Sequence, residues 1–345
     1  MKRYLGFFAL TILICVIATQ TFVRGQDKVE RRDKKGGSAF VSGKILEETP
    51  GGVKVKVQGI GKEEVIPSSE ILRVTYADLP AKASLDIGKL QAAETNRDFP
   101  TLLKGYEAVR DLPEVKNAPP AARRYLDYRV ASLRGFTAEG DDQFKAAVKT
   151  LADFVSANPD GWEYPHAARQ LGRLQADTGD YAAATKTFAD LEKANVPTEF
   201  KQEATAALID VAFQSEDYKL GAQRIEAVAK DPQAPAALRD RVAIYRLGLD
   251  GASGDLSATV KKLEDAIAKA TDPGLKALGY NVLGDVYRAK GQRRDAMWSY
   301  LWVDVYYNQD RAEHLKALSR LIKIFQEEGD TDKVTLYREK LARSR

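Results

Sequence analysis

Cysteine and histidine are almost missing from this chain of 345 residues: Cys15 is the single thiol, and His166 and His314 are the two imidazoles. One cysteine excludes an internal disulfide framework and a thiolate metal site. Neither histidine stands in an HExxH pattern or near carboxylates at ligand spacing, so neither reads as a metal ligand. His166 follows Pro165 at the start of an expected helix and reads first as an ordinary helix residue. An excess of one charge is also lacking. The formal net charge is +4, and Lys2, Arg3 and Arg24 lie in a leader without an acidic residue; the remainder sets 50 basic residues against 49 acidic ones. That balance excludes a general attraction to nucleic acid. Gly59-Ile60-Gly61 is only a fragment of a dinucleotide-binding loop, with Glu64 where the third glycine would stand. Glu47-Glu48 and Glu327-Glu328 read as solvated carboxylates. Nucleophiles, acid–base pairs and metal ligands are thus scarce, and the chain reads as a non-enzyme that needs no cofactor.

What is present falls into three parts. Residues 1–25 read as a signal peptide: Met-Lys-Arg, an apolar run from Tyr4 to Val23 softened by Thr11, Thr19, Gln20 and Thr21, then Val23-Arg24-Gly25 ahead of Gln26. Export to a periplasmic or extracellular location follows from it. The alternative is an uncleaved anchor, because about 20 apolar residues can span a bilayer. Membrane contact is expected only in that case.

Residues 26–78 have a period of two. Val53, Val55 and Val57 alternate with Lys54, Lys56 and Gln58, which puts the valines on one face of a half-buried strand. Pro50-Gly51-Gly52 is turn chemistry, with Ser42 to Glu47 expected to pair across it. Gln58 to Lys62 reads as a second turn, Glu63 to Ile66 as a short strand, Ile66 to Ile71 as one helical turn, and Leu72 to Tyr76 as the last strand. The lysine face of the middle strand reads as solvated. This segment resembles a small SH3-like or Sm-like barrel, which at this size is expected to pack on the part of the chain that comes after it.

From residue 79 to 345 the period is helical. In Ala277 to Gln309, Tyr280, Leu283, Gly284 and Tyr287 share one helix face, Lys290-Gly291-Gln292 breaks the helix, and Ala296, Tyr300 and Val303 lie on the next. Gly284 and Ala296 fall where two packed helices cross closely. Leu171-Gly172, Gly179-Asp180-Tyr181, Ala184, Phe188 and Leu191 repeat the arrangement, as do Leu208, Ala212, Tyr218, Gly221, Ile225 and Val228. Phe99, Phe144, Tyr181, Tyr218, Leu256 and Arg293 mark corresponding places in successive second helices, 45, 37, 37, 38 and 37 residues apart. His314 to Arg345 reads as a degenerate capping pair. The units resemble the tetratricopeptide repeat of about 34 residues, over roughly Ser84 to Ala342. The fold class expected is mainly α: a tetratricopeptide-like α-solenoid of six or seven helical hairpins preceded by a small all-β SH3-like barrel.

Such repeats generally bind peptides or partner proteins on a concave face lined by the first helix of each pair. The resemblance therefore implies a stripe of partner-binding residues: His166, Arg169 and Arg173; Glu203, Asp210 and Phe213; and Asn281, Asp285 and Arg288. The aromatic cluster Trp298, Trp302 and Tyr306, spaced by four, is expected to pack under the terminal hairpin. The function expected is an exported scaffold for cell-envelope proteins. A second possibility is an envelope anchor whose barrel binds a glycan or surface polymer, with the solenoid as spacer. The pattern sets no oligomeric state.

Overall fold

The computed structural model describes residues 25–33 and 36–344, so the leader with Cys15 lies outside the described residues. The N-terminal part is a five-stranded antiparallel sheet: β1 (Asp27–Arg32), β2 (Ser38–Thr49), β3 (Gly52–Val57), β4 (Glu63–Pro67) and β5 (Ile71–Thr75), in the order β4-β3-β2-β1-β5. Pro50 and Gly51 make the tight β2–β3 turn, where Thr49 pairs with Gly52. Only glycine fits at 52, because a Cβ there would lie 2.1 Å from the Ile66 carbonyl oxygen. β4 and β5 occupy opposite edges, which in a flat sheet would lie about 19 Å apart. Yet Ser68-Ser69-Glu70 suffice to join them, in a turn closed by Glu70 N to Pro67 O at 2.9 Å and Ile71 N to Ser68 O at 3.2 Å. Such a turn holds its ends within about 7 Å. The sheet must therefore curl until its edges approach, and Arg31 on β1 reaches Glu64 on β4 at 2.7 Å. Register shifts in β1 at Glu30/Arg31 and in β2 between Ile45 and Glu47 bend the strands toward that closure.

Val29, Val53, Val55, Ile66, Ile71 and Val74 fill the inside, and their cluster continues without a break into Ala83, Leu102, Tyr106, Leu126 and Trp162. The barrel thus shares its core with the first helices. One reading of this segment needs correction, and one strand is additional to those expected. The turn expected over Ile66–Ile71 is shorter, the three residues Ser68–Glu70, since Ile66 and Pro67 belong to β4 and Ile71 to β5; β1 is a further strand with a single fully buried residue, Val29.

After the sheet, the described residues form fifteen α-helices and a 3-10 turn at Pro113–Asn117, with no further strand among them. α1 (Ala81–Lys89), α2 (Gln91–Asn96) and α3 (Phe99–Arg110) lead the array. Six hairpins follow: α4 (Pro120–Thr137) with α5 (Gly140–Ala157), α6 (Tyr164–Asp177) with α7 (Tyr181–Lys193), α8 (Thr198–Gln214) with α9 (Tyr218–Lys230), α10 (Ala236–Ser253) with α11 (Leu256–Lys269), α12 (Pro273–Ala289) with α13 (Arg293–Val305), and α14 (Arg311–Glu328) with α15 (Thr331–Ser344). The marker residues Tyr181, Tyr218, Leu256 and Arg293 are each the first residue of a hairpin's second helix, and Phe99 is the first residue of α3. Phe144 is not a first residue: α5 starts four residues earlier, at Gly140.

The starts of these helices share a local cause. Asp98, Asp180, Asp217 and Asp255 are N-caps whose carboxylates accept from Thr101, Ala183, Leu220 and Ser257 backbone N–H groups. One residue before the cap the backbone turns left-handed at Arg97, Gly179 and Glu216, as it does at Gly291 before Gln292 and at Gly329 before Asp330, while Gly254 before Asp255 stays extended. The left-handed conformation ends one helix and frees the chain to begin the next. Between hairpin partners the close crossings lie where expected. A Cβ on Gly284 would meet Tyr300 Cε1 at 2.3 Å, and one on Gly172 would meet Phe188 Cζ at 2.7 Å. The apolar residues divide among successive clusters along the array, each shared by neighbouring helices.

Candidate interaction surfaces

The final hairpin decides which surfaces are open. α14 does not simply cap the array but runs across the first helices of the preceding hairpins. Its side chains reach α12 through Glu313 and Arg320, α10 through Glu313 and Lys316, α8 through Lys316 and Arg320, and α6 through Ser319. Arg311 lies over the Phe136 ring of α4 at 5.7 Å. Residues 313, 316, 319, 320 and 323 lie on one helix face, so α14 turns a polar stripe inward. Ala317, Leu321, Ile324 and Phe325 pack with α13 and the α12 core, and Leu318 and Ile322 pack with Leu341 of α15.

The stripe is held by ionic contacts largely removed from water. Arg320 grips Asp285 through Nε to Oδ1 and Nη2 to Oδ2, both at 2.7 Å, and reaches Asp210 at 3.3 Å. Asp285 also accepts from the Tyr300 hydroxyl at 2.8 Å. Glu313, fully buried, is paired with Arg241, with Lys316 at 2.9 Å and with the Asn281 amide at 2.9 Å. Burial opposes its ionisation, but Lys316 and Arg241 outweigh that and hold the carboxyl at about 2. For Lys316 burial likewise opposes the charge, and Asp210 and Glu313 outweigh it and raise the pKa.

The nine residues expected on a concave binding stripe are all on α6, α8 and α12, and their placements diverge. Asp210, Phe213 and Asn281 are buried, and Asp285 is engaged by α14. A partner cannot touch them while α14 is in place, so the stripe is not an open binding surface along its length. Phe213 packs on Tyr245 and Tyr218 within the α8–α12 core. Arg288 pairs with Glu327 of α14 at 2.7 Å. His166 turns toward the barrel: its Nε2 lies 2.8 Å from the Ser68 carbonyl oxygen, with the rings of Trp162 and Phe200 edge-on to it. Burial and then Arg169 push its pKa down to about 3, so the imidazole is neutral and Nε2 donates. That leaves Arg169, Arg173 and Glu203 together. Arg169 pairs with Glu203 at 2.9 Å, and Arg173 stands 3.8 Å from the same carboxylate with 48% of its side chain open.

The barrel and helices are locked by a second polar cluster. Arg124 of α4 is shared between Glu48 of β2 and Glu163, the latter at 2.9 Å. Tyr76 donates to Glu48 at 2.9 Å and accepts from Trp162 Nε1 at 3.3 Å. Glu163 is fully buried and its Oε1 has no partner. Burial, reinforced by the Glu48 charge, raises its pKa to about 7 despite Arg124. His314 is equally internal, with Nε2 2.8 Å from Asp304 Oδ1, and Asp304 also takes Lys340 of α15 at 2.6 Å.

The aromatic cluster on α13 is the other departure. Trp298, Trp302, Val305 and Tyr306 do not pack under the terminal hairpin; they are 53, 42, 59 and 60% exposed. The terminal hairpin packs instead on the other side of α13, around Ala296, Tyr300 and Val303, because α14 is drawn inward. The rings still support one another. Trp302 stacks on Tyr280 at 5.8 Å, Tyr280 on Tyr307 at 5.4 Å, and Tyr306 lies 4.7 Å from Trp302. A period of four could have exposed this stripe in the sequence only if the direction of α14 were known.

The fold and these surfaces define a class: a mainly α protein of stacked helical hairpins with a small β domain in front. Comparison with known protein families finds no matching family model, and comparison with curated proteins finds no match. Among the described residues, no helix is long and apolar enough to cross a membrane.

Proposed function

We propose that the chain is an exported, non-enzymatic scaffold of the tetratricopeptide type, which holds a partner protein or peptide in the cell envelope on the inner surface that α14 leaves open. The observation that carries this reading is Arg173. Arg169 holds the Glu203 carboxylate at 2.9 Å, and Arg173, exposed beside it, reaches the same carboxylate only at 3.8 Å. An exposed guanidinium whose ion-pair carboxylate is already held by another cation gains from a further anion. An acidic segment of a partner supplies one, with the paired fork geometry that arginine offers to carboxylates.

The test uses the full chain, recovered from its own envelope and crosslinked before mass spectrometry. Crosslinks from acidic partner segments are expected around residues 169–203, and Arg173→Glu is expected to remove them while the protein stays folded. Crosslinks confined to the barrel would overturn this reading. They would support the second one, a barrel that binds a glycan or surface polymer, which is favoured by the exposed Phe40, Ile60 and Val65 on β2, the β3–β4 turn and β4. Splitting barrel from helices is a poor substitute, since the cut would expose the core they share. Export itself predicts a mature protein starting at Gln26, read by N-terminal sequencing.

A further inference from the structure

Exposed aromatic side chains on a helix in one contiguous stripe ask for an occupant, and the spacing on α13 identifies one. Trp298, Trp302 and Tyr306 are four residues apart, so they form a single band along the helix, with Val305 at its edge. The band is symmetric about its middle: a large ring stands four residues before Trp302 and another four residues after it. A two-fold axis through Trp302 therefore lays α13 antiparallel on itself. Trp302 meets Trp302, and Trp298 of each copy meets Tyr306 of the other. An isologous interface requires this kind of self-complementarity.

Charge follows the same symmetry. Exposed Arg294 lies at the start of α13, one turn before Trp298, while Tyr306 lies at its other end. Antiparallel pairing brings the guanidinium end of one helix to the aromatic end of the other, which favours cation–π contact at both rims. The area is sufficient. Three large rings and a valine supply about 500 Å² per copy, and two copies supply about 1,000 Å², the lower bound for a specific interface. Two of the three rings are also ordered in advance, since Trp302 stacks on Tyr280 and Tyr306 lies tilted against Trp302. Little rotamer freedom is then lost on association.

We infer that the α13 stripe is a homodimer interface, in which a second copy of this chain packs antiparallel about Trp302. The dimer would present two helical arrays and two barrels, whatever each inner surface holds. It stands apart from the Arg173 reading: that reading concerns partner segments on the inner surface, and this one concerns mass in the absence of any partner.

The experiment is sedimentation of the purified full chain across about 1 to 100 µM, a range that brackets micromolar dissociation constants. The wild type is expected to shift from monomer toward dimer. Trp302→Glu, which places two carboxylates on the two-fold axis, is expected to weaken the dimer at least tenfold, with an unchanged circular dichroism spectrum because the residue is exposed. A directional test uses a Cys15→Ser background. With a short bis-maleimide, Trp302→Cys is expected to crosslink to its own copy. Trp298→Cys alone is not, whereas Trp298→Cys combined with Tyr306→Cys is. A wild type that stays monomeric throughout overturns the inference, whether or not the stripe then captures a different protein. So does a dimer indifferent to Trp302→Glu, or one that crosslinks through 298 alone.

Discussion

Replacing Arg320 by methionine keeps most of the side-chain volume and removes the charge at the point where α14 meets α8 and α12. Breaking a buried ion pair from one side costs about 3–5 kcal/mol, because the remaining partner is left charged and unsolvated. Two details place the cost at the low end. Asp285 keeps the Tyr300 hydroxyl at 2.8 Å, and Asp210 keeps Lys316 at 3.4 Å. A loss of about 3 kcal/mol is therefore expected, equivalent to roughly a hundredfold rise in the population of the open state. It should be local. Hydrogen exchange of α14 and α15 amides should accelerate by about that factor, while amides in the barrel and α6 change little. Adding Asp285→Asn should return part of the loss by removing the stranded charge, a positive coupling in a double-mutant cycle. A cost below about 1 kcal/mol, the range of exposed pairs, would mean that α14 is not seated in a dry groove, and the account of the closed inner surface would fail.

Two further outcomes test the packing and the junction. Gly284→Ala should destabilise by about 1 kcal/mol or more despite the better helix propensity of alanine, since its Cβ would overlap Tyr300, whose hydroxyl is tied to Asp285. Gly88→Ala in α1, where nothing lies within 4 Å, should instead stabilise by about 0.5–1 kcal/mol in urea melts; a gain at both positions would refute the close crossing. At the junction, Glu163 with a pKa of about 7 and His166 at about 3 act in opposite senses. The folded state holds the Glu163 proton more tightly than the unfolded chain, so that contribution is complete below about pH 4.5 and fades as pH rises through 7. The folded state holds the His166 proton less tightly, so that contribution is complete above about pH 6.5 and fades as pH falls toward 3. Between about pH 4.5 and 6.5 they offset, each at up to about 1.4 kcal/mol per pH unit. Glu163→Gln should therefore make stability rise more steeply with pH across that window than in the wild type. Identical slopes in chemical denaturation would refute the assignment.

Much of the architecture was legible because it is local. The valine alternation in β3, the turn at Pro50-Gly51 and the pairing of Gly284 with Tyr300 are each written within a few dozen residues, and apolar period reports them directly. β1 escaped because one buried valine sets no period. The binding stripe was misjudged for a different reason. A hydrophobic period shows which face is buried against a sequence neighbour, but Asp210 and Arg320, 110 residues apart, meet through charge. On any surface helix such residues look solvated. Trp298 and Trp302 failed as core markers because burial depends on which side α14 takes, and no residue within α13 carries that information. His166 was readable as a helix residue, while its carbonyl partner Ser68 lies 98 residues earlier in the barrel.

The inward course of α14 also bears on the order of assembly. Repeat arrays can ordinarily acquire structure one unit at a time as the polypeptide emerges during synthesis. Here the carboxylates at 210 and 285 find their guanidinium only when residue 320, downstream of both, has joined the fold. Until then the partly folded array carries an acidic seam without its arginine, and α14 acts as the keystone that turns a string of hairpins into one cooperative body.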